Sequence, residues 1–466
     1  MQFTALLHHI TPQLLAQSFY ALRRNAAVGV DGMSWREYEE GLLQRVTDLH
    51  ARLHSETYRA TPSRRVYIPK ADGRQRPLGI ASLEDKIVQT LTDFDRKRDH
   101  NLYRIWNRLC SGSYFPPPVR EKCIPKDNGK ERILGIPTVS DRVAQGAVKR
   151  YVEAVIDPIF HPDPYGYRPG RSAHDALRQC SIRCRRKNWV LEVDISAFFD
   201  HVGHDLIIKA LEHHQMPKWV ILYCRRWLQA PMQSETGLLQ ERGRGTPQGG
   251  VISPLLANLF LHYAFDRWMD RTHRGVPFER YADDIVIHCT RMSEAVRIRE
   301  SLTRRMSEVG LTINEEKSKI VYIDTFERHN VATSFTFLGY DFKVRTLRNS
   351  KGELFRKCMP GASMKAMRRM VDTIKHWRIH RSTTDDLRDF SRRYNAVIRE
   401  WIEYYGKFWY RNFSYRLWSA LQSRLLKWMK SKYRISIRQA EHRLRLVRRE
   451  NPELFAHWYL LRASNV

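Results

Sequence analysis

Two adjacent carboxylates, Asp283 and Asp284, follow Tyr281-Ala282 between apolar runs at 276–280 and 285–287. The layout reads as strand, tight two-residue turn, strand, with turn-forming aspartates at the bend. Neighbouring carboxylates at a hairpin tip repel each other, so something must compensate their charge, and a divalent cation held by oxygen ligands can do so. Another carboxylate, Asp194, ends the apolar run Trp189-Val190-Leu191-Glu192-Val193, which reads as a buried strand. Two strands presenting Asp194 and Asp283 side by side can hold two Mg²⁺ ions, with Mn²⁺ able to replace them, for in-line phosphoryl transfer. That is the chemistry by which nucleotides are polymerised.

Other segments have the makings of a nucleotide site around these acids. Ile124-Pro125-Lys126 and Arg132-Ile133-Leu134-Gly135-Ile136 flank an Asp-Asn-Gly turn. A hairpin carrying Lys126 and Arg132 can fold over a triphosphate and neutralise it. Gly243 to Gly250 is a Gly-rich loop containing Gln248, whose paired glycines would let backbone approach a substrate and whose amide can hydrogen-bond sugar or base. A helix follows it, with Ser253 as N-cap and Pro254 at the first position. Between the repeat described below and Asp194 lie a helix over 140–159, the basic loop Tyr165 to Ser172 with Arg168 and Arg171, and a helix from Ser172 or Ala173 to about Arg186. After the Asp283 hairpin come a helix over 292–309 and a strand over 335–340. From about Ser363 the pattern is helical and basic, which puts a boundary in 348–361.

The chain has 466 residues, 42% of them hydrophobic, enough for two or three domains with real cores. Its net charge of +30 calls for a polyanionic partner. From Lys343 onward roughly thirty Lys and Arg stand against about ten acids, interleaved with aromatic rings. Arg392 and Arg393 are the phosphate contacts expected there. The seven cysteines show no zinc spacing; Cys180 and Cys184 are the one close pair, and buried or surface thiols in a reducing cytoplasm are expected. No run of 18 apolar residues is present and Met1 to Gln17 lacks the build of a signal peptide, so no membrane partner is expected.

Residues 52–89 repeat as 108–145 at a constant offset of 56, identical at about 16 of about 38 positions. Each copy reads as a helix followed by a β-hairpin, with turns Ala71-Asp72-Gly73 and Asp127-Asn128-Gly129. One extra repetition is too little for a solenoid and fits a partial tandem duplication.

Taken together, the ordered motifs resemble bacterial group II intron reverse transcriptases, from Gly29-Val30-Asp31-Gly32 to the maturase-like stretch Ile398-Arg399-Glu400-Trp401-Ile402-Glu403-Tyr404-Tyr405-Gly406. The resemblance implies an α+β right-hand polymerase with an antiparallel palm sheet and an all-α thumb/maturase domain. The expected division is 1–91 with the first repeat copy, fingers over 92–190, palm over 191–350 and thumb over 351–466. It further implies Asp194, Asp283 and Asp284 as catalytic acids, the Ile195 carbonyl as an additional metal ligand, and Phe199 as a gate against a ribose 2′-hydroxyl. Lys126, Arg132 and Gln248 would contact the nucleotide, Lys317 the primer or triphosphate, and Gly339 would let primer backbone pass. The implied partners are an RNA template (a group II intron RNA), a DNA or RNA primer, and deoxynucleoside triphosphates. No His-Asn-His endonuclease with its cysteine pairs follows, so second-strand cleavage is not expected. Two rivals remain, a free-standing reverse transcriptase in phage defence and an RNA-binding splicing factor with impaired catalysis. The family usually has Pro where Ile133 stands, whereas the first copy keeps Pro77, so the residues leave open which copy works. The second is expected to, because its spacing to Asp194 matches the family, with the first packed outside the nucleotide site.

Overall fold

The computed structural model describes residues 15, 19, 31–55, 57–58, 64–69, 75–80, 82–85, 98–125, 131–234, 236–324, 328–349 and 351–460. The chain divides into two compact units, one of Met1–Pro118 with Pro137–Ala147, the other of Val119–Ile136 with Val148–Val466. The hairpin of the second repeat copy belongs with the larger unit.

In the smaller unit, Ser34 caps the short helix α1 (Trp35–Glu39) with a reciprocal bond from Glu37. The helix α2 (Leu42–His54) then presents Val46 and Leu49 to a core shared with Phe19, Trp35, Tyr38 and Leu83. Strands β1 (Arg64–Pro69) and β2 (Gln75–Ile80) form an antiparallel hairpin. The second copy supplies the helix α3 (Arg98–Cys110) and a buried bond from Tyr114 Oη to Asp141 Oδ1 of 2.9 Å. Asp141 lies in the first turn of the helix α4 (Val139–Ile156).

The larger unit begins with the hairpin β3 (Val119–Pro125) and β4 (Glu131–Ile136). Next come helix α5 (Ala173–Arg183), strand β5 (Trp189–Asp194) and helices α6 (Phe198–His201), α7 (His204–His213) and α8 (Lys218–Gln229). Two short strands follow, β6 (Met232–Gln233) and β7 (Leu239–Gln240), and complete a sheet of order β4-β3-β6-β7. Helix α9 (Ser253–Leu261) passes through a π-helical turn, His262–Asp266, into α10 (Arg267–Thr272). Ser253 is its first residue rather than its cap, and Ile252 holds the cap position. The second sheet, of order β10-β5-β9-β8, uses β8 (Phe278–Tyr281), β9 (Asp284–Cys289) and, after helix α11 (Met292–Glu308), β10 (Lys319–Tyr322). Its inner strand β5 has Val190 and Leu191 fully buried, which explains the continuous apolar run.

The expected strand over 335–340 is broken. Leu338 and Gly339 both take positive φ, 49° and 76°, and form the tight turn between β11 (Phe335–Phe337) and β12 (Tyr340–Arg348). Strand β12 pairs along its whole length with β13 (Leu354–Ala362). The segment taken for a domain boundary is thus the tip and return strand of a hairpin. Four helices follow, α12 (Met364–His376), α13 (Leu387–Tyr405), α14 (Tyr410–Tyr433) and α15 (Ile437–Glu450). Side chains of Ser363, Asp386 and Ser436 cap three of them, α12, α13 and α15. Most of the aromatic rings of this region pack its core: Trp377 stacks on Tyr394 at 4.0 Å, and Trp428 is 1% exposed.

Candidate active site

Backbone register brings the acids together. Tyr281 pairs with Asp284, leaving Ala282 and Asp283 as the two turn residues, and Ala282 takes a φ of 56° to close the turn. Across the antiparallel ladder Asp194 faces Asp284. The sequence placed Asp194 beside Asp283; in the structure Asp284 is its ladder neighbour. Asp283, on the turn, lines with Asp194 a cavity of about 650 Å³. Ile195, Phe199, Gln248 and Lys317 line the same cavity.

The electrostatics suit a cation. Loss of solvation, then repulsion from Asp283 and Asp194, pushes the Asp284 carboxyl up to about 7, with Lys317 pulling against it. The Asp284 side chain keeps an exposed face, so repulsion from its neighbours outweighs the burial. Lys317 Nζ lies 3.0 Å from Asp194 Oδ2, a single positive charge among several negative ones. Asp194 and Asp284 on paired positions, with Asp283 on the adjoining turn, are oxygen donors of the kind a hard divalent ion takes. Asp194, Asp283, Asp284 and the Ile195 carbonyl are the groups able to hold it.

Beneath the turn lies a brace that the sequence did not disclose. Arg280 is 1% exposed and forms a two-pronged ion pair with Asp266, Nε to Oδ1 at 2.8 Å and Nη2 to Oδ2 at 2.6 Å. Its Nη1 also donates to Asn258 Oδ1 and to the Ala282 carbonyl. Asn258 Nδ2 donates in turn to the Gly166 carbonyl. Arg280 looked like the polar end of an apolar run. Only the π-helical turn at 262–266, which shifts the helical phase, carries Asp266 to meet it.

The basic loop at 165–172 is part of the same construction. Tyr165 N donates to the Arg280 carbonyl, and a β-carbon on Gly166 would come within 2.7 Å of the Ala282 nitrogen. Arg168, expected as an RNA contact, has a structural role here. Its nearly buried guanidinium binds Asp157 Oδ1 at 2.7 Å, the Asp157 carbonyl and the His161 carbonyl. Arg171 is exposed, its guanidinium 5.5 Å from the Tyr165 ring centre.

Phe198 is core, 2% exposed, whereas Phe199 is half-buried and faces the cavity. The Gly-rich loop docks under α6: Thr246 N donates to the Phe199 carbonyl and Gly245 N to the Val202 carbonyl. Gly245 and Gly249 have positive φ, and their close approaches are to protein backbone, the Phe199–Asp200 carbonyls and the Gly135 carbonyl. Their missing β-carbons are therefore needed by the packing of the loop itself. Gln248 lends its carbonyl to Gly135 N at 2.9 Å, which ties the loop to β4 and leaves the side-chain amide at the cavity wall. Lys126 and the Arg132 side chain lie outside the described residues.

Two further expectations change in the C-terminal part. Gly339 faces Tyr405, whose hydroxyl would meet an added β-carbon at 2.9 Å, so its small size serves this packing. Arg393 pairs with the buried Asp385 at 3.2 Å, which makes it first a structural partner; Arg392 is exposed on the same helix.

Residues 124–342 match the family described as "Reverse transcriptase (RNA-dependent DNA polymerase)", and residues 367–446 the "Group II intron, maturase-specific domain". Protein YkfC of Escherichia coli is 32% identical over 285 residues, 53% of this chain and 72% of that protein. Group II intron-encoded protein LtrA of Lactococcus lactis subsp. cremoris is 27% identical over 332 residues, 57% of this chain. The chain spans about half of LtrA, 53% of its length. Among solved structures, apo telomerase from Candida tropicalis is 10% identical, with a TM-score of 0.42 over 98% of this chain and 86% of its own, too distant to bear on function. With acids, fold and sequence in agreement, the chain belongs to the family of reverse transcriptases that carry a group II intron maturase-specific domain.

Proposed function

We propose that the chain extends a DNA or RNA primer along an RNA template, a group II intron RNA, using deoxynucleoside triphosphates. The observation that carries this is the register that sets Asp194 opposite Asp284, with Asp283 on the adjoining turn at the mouth of a large polar cavity. Divalent metal dependence belongs to the family; that the ions are two Mg²⁺, with Mn²⁺ able to replace them, is part of the proposal. Held by Asp194, Asp283, Asp284 and the Ile195 carbonyl, they would sharpen the acidity of the primer 3′-hydroxyl and stabilise the pyrophosphate leaving group.

The remaining roles fall to the chain's own residues. Phe199 stands at the cavity wall where a 2′-hydroxyl would be crowded, and Gln248 offers an amide to sugar or base. Lys126 and Arg132 neutralise the triphosphate. Arg171 and Arg392 are the exposed candidates for RNA phosphates, with Arg393 contributing only beside its pairing to Asp385. The seven unpaired cysteines agree with a reducing cytoplasm, and among the described residues no helix is long and apolar enough to cross a membrane.

Replacing Asp283 with Asn removes a carboxylate at nearly constant volume and leaves the basic surface intact. Primer extension on an RNA template should fall by at least about 100-fold, as when a transition-state contact is lost, while RNA affinity holds. Extension within a few-fold of wild type would sink the assignment of the metal site.

A further inference from the structure

A second cluster of metal-ligating side chains lies inside the larger unit, away from the carboxylates. Cys180 and Cys184 stand one helical turn apart at the end of α5, and both are essentially unexposed, at 0% and 1%. His288, on β9, is fully buried. The two sulfurs and an imidazole nitrogen lie within 4.8 Å of one another. Cys184 Sγ is 3.9 Å from His288 Nδ1. Cys358, on β13 and 6% exposed, interacts with the Cys184 thiol.

The other face of the imidazole is equally organised. His288 Nε2 bonds to Glu279 Oε2 at 2.5 Å. Arg183 holds the second Glu279 oxygen at 2.7 Å and both oxygens of Asp163 at 2.8 and 2.9 Å. A carboxylate on one ring nitrogen, itself anchored, orients the other nitrogen toward a ligand; this is how metal-bound histidines are commonly positioned. Three thiols and one imidazole are a donor set of structural zinc sites, in which the ion sits about 2.3 Å from sulfur and about 2.0–2.1 Å from nitrogen. Three of these donors, on Cys180, Cys184 and His288, already lie within 4.8 Å of one another, and Cys358 would have to move in to complete the set.

We propose that Cys180, Cys184, Cys358 and His288 bind one structural Zn²⁺. The site would join α5, β9 and β13, and so steady the strand whose first residue is Asp284. Burial pushes the Cys180 and Cys184 thiols up to about 12, so the protons must leave as the metal enters and loading weakens as pH falls. In the metal-free chain the same residues form a thiol-filled core beside a His288–Glu279 ion pair, and that is the competing outcome.

The test uses the full chain, expressed with added zinc and freed of any histidine tag. Elemental analysis should find about one zinc per chain, as expected for a closed structural site. Replacing the metal with Co²⁺ should give thiolate-to-cobalt charge-transfer absorption. That absorption should vanish in Cys184→Ser and persist in Asp283→Asn, which separates this site from the carboxylates. If Cys184→Ser does not fold, the wild-type chain decides alone. Folded wild-type protein without stoichiometric zinc and without the cobalt absorption overturns the proposal.

Discussion

In the first repeat copy Arg64 pairs with Ile80 and Pro69 with Gln75; in the second, Arg120 pairs with Ile136 and Pro125 with Glu131. Every partner differs by the offset of 56. The tyrosine–aspartate bond is also repeated, Tyr58 to Asp85 at 2.5 Å and Tyr114 to Asp141 at 2.9 Å. Ser82 and Thr138 each accept from the backbone of their aspartate at 3.2 Å. What differs is what the hairpins join. Strand β3 runs parallel to β6, and Gly135 of β4 is held by Gln248. Strands β1 and β2 form a two-stranded sheet with no third strand among the described residues. Local sequence is sufficient to build the unit twice, and a neighbouring strand and loop hold the second copy, whose Leu134 lines the cavity.

The sharpest way to break this comparison is to remove the lysine from each copy. Lys126→Ala should raise the KM for nucleotide by roughly 10–100-fold, the worth of a hydrogen bond to a charged group, while Lys70→Ala leaves it near wild type. The reverse result in steady-state incorporation would hand the site to the first copy.

A smaller effect should follow from the glycines. A β-carbon at Gly135 would lie 2.7 Å from Val119 Cγ1 and 3.0 Å from Pro247 Cβ. Gly135→Ala should therefore cost about 1–3 kcal/mol through overpacking and lower extension activity. Gly79→Ala, at the matching position, should leave extension unchanged. Equal losses of activity would mean that both hairpins reach the nucleotide.

The least difference between the copies is expected where they agree. Tyr58→Phe and Tyr114→Phe each strip a hydroxyl from a buried aspartate and should lower stability by about 1–3 kcal/mol apiece. Denaturant unfolding of both variants measures this. A loss confined to one would show that the shared bond is not equally important.

The hairpin that carries Asp283 and Asp284 was legible because strand and turn are local in sequence, whereas Phe199 was picked out beside Phe198 by the resemblance alone. The register that puts Asp284, not Asp283, opposite Asp194 depends on how many residues the turn consumes, which the four letters do not state. Arg168 and Arg280 carried the same charge in the sequence as exposed arginines. Their distant partners Asp157 and Asp266 decide that they brace the fold, whereas Arg393 stays exposed beside its pairing to Asp385. Leu338-Gly339 went unread as a turn because leucine rarely takes positive φ. The exposed residues 351–356 looked like a linker because β13 begins as an exposed strand and becomes buried only from Cys358.

That hairpin bears on how such proteins are assembled from parts. Strand β12 starts at Tyr340, whose hydroxyl bonds to the Tyr404 carbonyl, and Tyr404 returns a bond to the Leu338 carbonyl at 2.9 Å. A graft or truncation made near residue 350 would sever nine paired positions and strip α13 of its seat. The natural unit of exchange therefore starts before Phe335, so a maturase-specific segment can be transplanted only together with the three-strand sheet on which it is mounted.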